Sequence, residues 1–246
     1  MSRPDRRLVW LEPSDSFPDH SFAWGTGTDA PGLLAAGGDL SPDRLLCAYK
    51  EGIYPWFSQG QPILWWTPDP RMVLKSADFK LHRSLRKVIH RFQSTAGCEV
   101  RFNTVFEQVI EACANGDHRA RPGTWILPPM IDAYTELHRL GYAHSAETWV
   151  DGKLVGGLYL VAIGHAVFGE SMFSVASNAS KIALAALVAF CRANDVQVID
   201  CQQNTAHLRS LGATEISRND FVHHVQSASL GPNLDWHFEP AHWEHL

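Results

Sequence analysis

The spacing of apolar positions changes along the chain, and the changes divide it into elements. Ser41 offers a side-chain cap, Pro42 suits a first helical position, and Leu45, Leu46 and Tyr49 share one face before Gly52, which predicts a short helix. The next stretch, GIYPWFSQGQPILWWTPDPRMVL, is too punctuated by proline for a central strand except near Ile63 to Trp66 and Met72 to Leu74. Residues 79–91 read as helical or partly so, Asn103 is expected to cap a helix through Ala114, and residues 116–126 read as a loop. Pro129 opens a helix expected to bury Ile131, Tyr134, Leu137 and Leu140 and to stop at Gly141. The period then shortens to two. SAETWVDGKLVGGLYLVAIGHAVFGESMF predicts strand, Asp-Gly turn, strand, tight turn and strand, an antiparallel meander. A mostly apolar helix from Ala179 to Ala193 leads to the buried strand VQVIDCQ, a short helix around His207 to Leu211, and a last strand near Glu215 to Ile216.

This order is α+β. Residues 1–75 are expected to form a small N-terminal domain and 76–246 the main one. The first thirty residues read as an irregular arm with a short strand at Leu8 to Leu11, firm structure is expected from residue 40, and the aromatic end DWHFEPAHWEHL is expected to pack loosely or fray.

Composition narrows the function. No apolar run approaches the ~20 residues that span a bilayer, and the start MSRPDRRLVWLEP lacks a signal-peptide core, so a cytoplasmic protein without a membrane partner is expected. The five cysteines never form a CxxC pair, which leaves neither a disulfide framework nor a metal site in view. A net charge of −5 argues against a surface that is basic throughout, but Lys80, Arg83, Arg86, Lys87 and Arg91 fall in one stretch without an acid. That stretch is either a solvated helix face or a grip on a phosphate backbone. The absence of heptads and the net charge favour a monomer.

Several residues could carry chemistry. By strand alternation Asp200 and Gln202 point one way and Ile199 and Cys201 the other, so Asp200 lies at a cleft or is hydrogen-bonded to a fixed donor, unless it merely caps a turn. Glu170 stands between Phe168 and Met172 on one side of a strand, where it could meet an incoming cation or pair with Lys181. Trp56, Trp65, Trp66 and Trp125 could stack nucleobases, although at least two of them should be core. The turn before the helix at 179 reads SVASNASK rather than a glycine-rich phosphate cradle, which disfavours a coenzyme A donor, and no cofactor is expected.

PGLLAAGGDLSPDRLLCAYKEGIYPWF from Pro31, PILWWTPDPRMVL from Pro62, GTWI from Gly123, AYTELHRLGYAHSAE from Ala133, LVGGLYLVAIGHAVFGESMFS from Leu154, NASK from Asn178, and IDCQ with HLRSLGA from Ile199 together resemble the bacterial leucyl/phenylalanyl-tRNA-protein transferase family. The likeness covers most of residues 31–216. It implies a small α/β N-terminal lobe on an acetyltransferase-like (GNAT-like) C-terminal lobe, with the aminoacyl-adenosine end of a tRNA between them. The donor it implies is leucyl-, phenylalanyl- or, less well, methionyl-tRNA, and the acceptor is a protein beginning with Arg or Lys, which then becomes a degradation substrate.

By the same resemblance, Trp56 and Trp125 match tryptophans that contact the terminal adenosine, with Tyr49 and Tyr134 near them. Asp200 and Gln202 match the pair assigned to catalysis; Glu170 is counted as a catalytic candidate beside them on its own position, and Glu170 or Asp200 is expected to favour the cationic side chain of the acceptor. Glu170, Met172, Ser174 and Ile199 fall on pocket positions, while Leu158, Val167 and Leu187 stand where some members have Met and Phe. Arg83, Arg86 and Lys87 correspond to the region that grips the tRNA backbone. The expected mechanism has Gln202 accepting a hydrogen bond from the attacking amine, Asp200 orienting Gln202, and neither residue acylated. A thioester-dependent N-acyltransferase and a non-catalytic tRNA-binding module are the alternatives.

Overall fold

The computed structural model describes residues 8–115 and 126–246. The chain starts with β1 (Val9–Leu11), β2 (Leu33–Gly37), α1 (Pro42–Lys50), β3 (Tyr54–Pro55) and β4 (Leu64–Trp66), whose strands pair in the order β1-β2-β4-β3. Helix α1 begins as expected, with Ser41 Oγ accepting from the Arg44 amide. Regular structure begins before residue 40, because LLAAG is a fully buried strand whose lack of alternation hides it from a period-two reading. The arm ahead of it is tied down by Arg44, which donates to the carbonyls of Glu12, Pro13 and Asp15.

Next come β5 (Arg71–Lys75), α2 (Arg83–Ser94), β6 (Cys98–Phe102), α3 (Phe106–Asn115) and α4 (Pro128–Arg139). Asn103 does not cap α3. Its backbone is left-handed (φ 58°), its side-chain oxygen takes the Ser145 amide, and the free amides of Thr104 and Val105 are met instead by the buried carboxylate of Glu147. Leu140, expected in the core, is 51% exposed because α4 ends at Arg139. The loop expected at 116–126 lies outside the described residues except for Ile126.

The remainder is β7 (Ala143–Val150), β8 (Lys153–Ile163), β9 (Ala166–Ser174), α5 (Ala179–Ala193), β10 (Val198–Gln202), α6 (Ala206–Ser210), β11 (Thr214–Ile216) and α7 (Arg218–Ala228). The meander is present: Asp151 and Gly152, both at positive φ, make the turn from β7 to β8. Strands β9 and β10 run parallel with α5 as their crossover, the meander, helix and strand order expected of an acetyltransferase-like lobe. The seven-stranded sheet runs β11-β5-β10-β9-β8-β7-β6 and divides the interior in two. Tyr159, Val161 and Ile163 of β8 pack with α1, α3 and α4, and Leu158, Leu160 and Ala162 with α5 and α2.

The C-terminal segment does not fray. Trp236 stacks on His144 and Phe190 at ring separations of 4.5 and 4.8 Å, Phe238 is buried beside it, and Arg192 donates to the carbonyls of His245 and Leu246. Helix α5 is apolar nearly all round and needs a cover on its outer side, which these aromatics provide.

Candidate active site

Two β-bulges on neighbouring strands build the site. In β9, Tyr159 pairs with Ser171 and Leu160 with Gly169, which leaves Glu170 as the extra residue. In β10, Asp200 pairs with Val73 and Gln202 with Met72, which leaves Cys201 extra. A bulge breaks strand alternation and re-aims side chains. Phe168 and Met172 therefore lie on opposite sides of the sheet, against expectation, with Phe168 in one core and Met172 against the other. Asp200 and Gln202 do not share a polar face either, since Gln202 turns into a left-handed conformation (φ 52°).

Asp200 is sealed, at 1% exposure. Its two oxygens take Arg71 Nε at 2.8 Å and Nη2 at 2.6 Å, and Oδ1 also takes the backbone amide of Gln202 at 3.0 Å. Arg71, itself fully buried, lies over the rings of Tyr54 and Phe221 and donates to the Gly52 carbonyl. Burial opposes the guanidinium charge, but Asp200 outweighs it and raises the Arg71 pKa. Asp200 is thus a neutralised anchor for the β10 bulge, and it reaches Gln202 through the main chain rather than through the amide side chain. Sequence reasoning missed Arg71. The signal was a charge inside the apolar run RMVL, matched by another inside VIDCQ.

Glu170 has different company. Tyr49 Oη donates to its Oε1 at 2.7 Å, Tyr134 Oη donates to Oε2 at 3.4 Å, and Gln202 Nε2 donates to Oε1 at 3.5 Å. Tyr134 shares its one proton between Oε2 and the Tyr49 hydroxyl, to which it makes a short bond. Burial pushes the Glu170 carboxyl up to about 8, and Asp200 adds to the rise against the hydrogen bond from Tyr49, the Arg71 charge and the bond from Tyr134. Lys181 is not its partner among these bonds.

Glu170, Cys201, Gln202, Thr205 and Leu208 form a wall common to two chambers. One, of roughly 270 Å³, is walled by Leu158, Met172, Leu184, Leu187 and Ile199. The other, of roughly 310 Å³, is the more polar of the two and is completed by Tyr54, Pro55, Trp56 and Gln203. Trp56 is half-buried, set edge-on to Trp66 at 5.3 Å, whereas Trp65 is fully buried core. Helix α6, capped by Thr205, adds His207 to the apolar chamber and Leu208 to both.

Not every expected residue reaches these chambers. Val167 is core behind the apolar wall, and Tyr49 and Tyr134 are fully buried behind Glu170 rather than open to a ring. Ser174 is exposed at the start of α5, donating to the Ala176 carbonyl and accepting from the Ser180 amide. With the Ala179 amide bonded to the Ala176 carbonyl as well, that helix start is closed by its own chain and does not fit a coenzyme A diphosphate. Arg83, Arg86 and Lys87 are exposed on α2, opposite the buried Leu85, Ile89 and Phe92. Trp125 lies outside the described residues.

Cys201 borders both chambers, but burial drives its thiol pKa far above the ordinary range, with Asp200 adding to the rise, so it is no nucleophile. Among the described residues no cluster of three or more His, Cys, Asp or Glu side chains could hold a metal ion, and no helix is long and apolar enough to cross a membrane.

Residues 73–226 match the model of the leucyl/phenylalanyl-tRNA protein transferase family, and residues 38–69 match that of its N-terminal domain. The chain belongs to this family. The leucyl/phenylalanyl-tRNA–protein transferase of Polaromonas sp. (strain JS666 / ATCC BAA-500) is 56% identical across all of this chain and 96% of its own length. The protein of the same description from Methylibium petroleiphilum is 57% identical over 97% of this chain and 91% of its own. Among solved structures, a GCN5-related N-acetyltransferase from Kribbella flavida is similar over 72% of this chain and 61% of its own, at 13% identity and a TM-score of 0.34.

Proposed function

We propose that this transferase moves a leucyl or phenylalanyl group, and less well a methionyl group, from the 3′ end of aminoacyl-tRNA to the α-amine of a protein beginning with Arg or Lys, in the cytoplasm. Family membership makes the chain a tRNA-dependent aminoacyltransferase. The observation that carries the finer reading is the shared wall: an apolar chamber and a polar one meet at Glu170 and Gln202. The amino-acid side chain enters the first, against Leu158, Met172, Leu184, Leu187 and Ile199. The terminal ribose and adenine occupy the second, with the base on Trp56. The scissile ester then lies at the wall.

The donor ester is already activated, so the site has mainly to align it with the amine. Alignment can supply roughly 7–11 kcal/mol of the barrier, which favours direct transfer over a covalent intermediate, as the inert Cys201 thiol does. Gln202 spends its amide N–H on Glu170, which leaves its side-chain oxygen to accept a hydrogen bond from the attacking amine. Asp200 and Arg71 hold the β10 bulge that presents Gln202. Arg83, Arg86 and Lys87 take the tRNA backbone outside the chambers.

Incubating the protein with labelled Leu-tRNA and a peptide beginning with Arg, beside the same peptide N-acetylated, tests this. Label passing only to the free amine is the expected result. Label on neither peptide rejects the reading.

A further inference from the structure

A carboxamide oxygen can accept a hydrogen bond from an amine, but it cannot keep the proton at neutral pH. Once the amine nitrogen attacks the ester carbon it becomes a cation, and a true base has to be within reach. Asp200 is closed off, because Arg71 and the Gln202 amide occupy its oxygens. Burial raises the Cys201 thiol pKa, and His207 lines the apolar chamber but not the more polar one. Glu170 is the carboxyl that borders both chambers and touches Gln202.

We infer that Glu170 takes the proton from the attacking α-amine, and that Tyr49 and Tyr134 hold its carboxyl ready for that exchange. The inference rests on the reading above and gives one of its residues a specific step. As the N–C bond forms, one N–H proton passes to a Glu170 oxygen. As the bond from carbon to the ribose oxygen breaks, the same proton passes on to that oxygen, which leaves as a hydroxyl. The products are the amide and the free tRNA end, and Glu170 returns to its starting state.

The setting suits a group that must exist in both forms. Tyr49 donates to one oxygen at 2.7 Å, and Tyr134 shares its single proton between the Tyr49 hydroxyl and the other oxygen at 3.4 Å, so the ionised form keeps partners in an interior that would otherwise forbid it. The two hydroxyls also bond each other, and a hydroxyl can turn to accept when the carboxyl gains a proton. The charged and titratable groups facing Glu170 are Tyr49 of α1, Tyr54 of β3, Tyr134 of α4, Tyr159 of β8, Asp200 of β10 and Arg71 of β5. The last two cancel as a pair, so the balance rests on burial against the tyrosine hydroxyls. Held up at about 8 by burial, the carboxylate is a stronger base than an ordinary one and suits the cationic nitrogen that bond formation creates.

The test is single-turnover transfer from Leu-tRNA to an Arg-first peptide between pH 6 and 9, for the wild type, Glu170→Gln and Tyr49→Phe, with Leu-tRNA binding and thermal melts as controls. Glu170→Gln should lower the maximal rate about 10²–10⁴-fold and change the acceptor KM by less than about threefold. Tyr49→Phe removes a donor to the carboxylate, so it should move the rise of its rate profile to higher pH. That shift tests the inference even where Glu170→Gln folds poorly.

A Glu170→Gln rate within about threefold of the wild type overturns the inference, as does a Tyr49→Phe profile that does not move. A loss confined to KM and to cationic first residues, with a norleucine-first peptide unaffected, overturns it in favour of side-chain recognition. If the wild type transfers to no free amine, the functional reading falls and takes this step with it. Wild-type transfer beside an undiminished Glu170→Gln rate removes the step alone.

Discussion

At the scale of single residues, the site separates two carboxylates by their company. Asp200 is ringed by donors and paired with a buried guanidinium, whereas Glu170 has only hydroxyls and an amide. The second arrangement lowers stability in a pH-dependent way. In the unfolded chain Glu170 ionises near 4.5, while in the fold it does so near 8. Between those values the folded state binds one more proton than the unfolded state, so the contribution of Glu170 to stability falls as pH rises from 4.5 to 8 and is level beyond. Gln carries no such cost. Glu170→Gln should therefore melt close to the wild type at pH 5 and higher than it at pH 8, the gap widening in between. Scanning calorimetry at a series of pH values measures this, and a gap that narrows with pH would mean the fold favours the ionised carboxyl.

At the scale of elements, what was legible followed from period and capping. Helix α5 spans Ala179–Ala193 as expected, the Asp151-Gly152 turn fixed the meander, and Ser41 with Pro42 fixed the start of α1. Strand β2 was not legible because burial on both faces leaves no alternation to read. The site suffered for a related reason. Alternation holds only while the ladder is regular, and the bulges at Glu170 and Cys201 lie where the two chambers meet, so the directions assigned to Met172, Asp200 and Gln202 failed there. The tail was expected to fray because it is a chain terminus, but the outer side of α5 needs a cover that its rings provide. Trp236 sits among His144, Phe190 and Phe102, and Phe190 belongs to the helix whose Leu184 and Leu187 wall the apolar chamber. Trp236→Ala should cost about 3–5 kcal/mol of stability, read from chemical denaturation. A loss under about 1 kcal/mol would return the segment to the frayed state its sequence suggested.

At the scale of the whole molecule, a net charge of −5 has to be reconciled with a polyanionic donor. Repulsion between an acidic protein and tRNA is screened beyond roughly 8 Å at physiological salt, so a local basic surface suffices if it lies where the strand passes. Helix α2 offers one: Arg83, Arg86 and Lys87 are exposed together, no acid stands in its first turn, and its other side is anchored by Leu85, Ile89 and Phe92. None of the three cations lines either chamber. Replacing all three by Ala should accordingly separate grip from chemistry. Each phosphate contact contributes about 0.7–0.9 to the slope of log affinity against log salt, so the triple variant should lose roughly two to three units of slope for Leu-tRNA. Its melting temperature should hardly move, since exposed side chains away from buried partners change stability little. A leucyl-adenosine donor, which has no backbone to hold, should react equally with both proteins. Titrations of Leu-tRNA binding across a salt series, beside leucyl-adenosine turnover, decide the matter. An unchanged slope moves the tRNA path off α2, and a parallel loss with the short donor puts these residues in the reacting site instead.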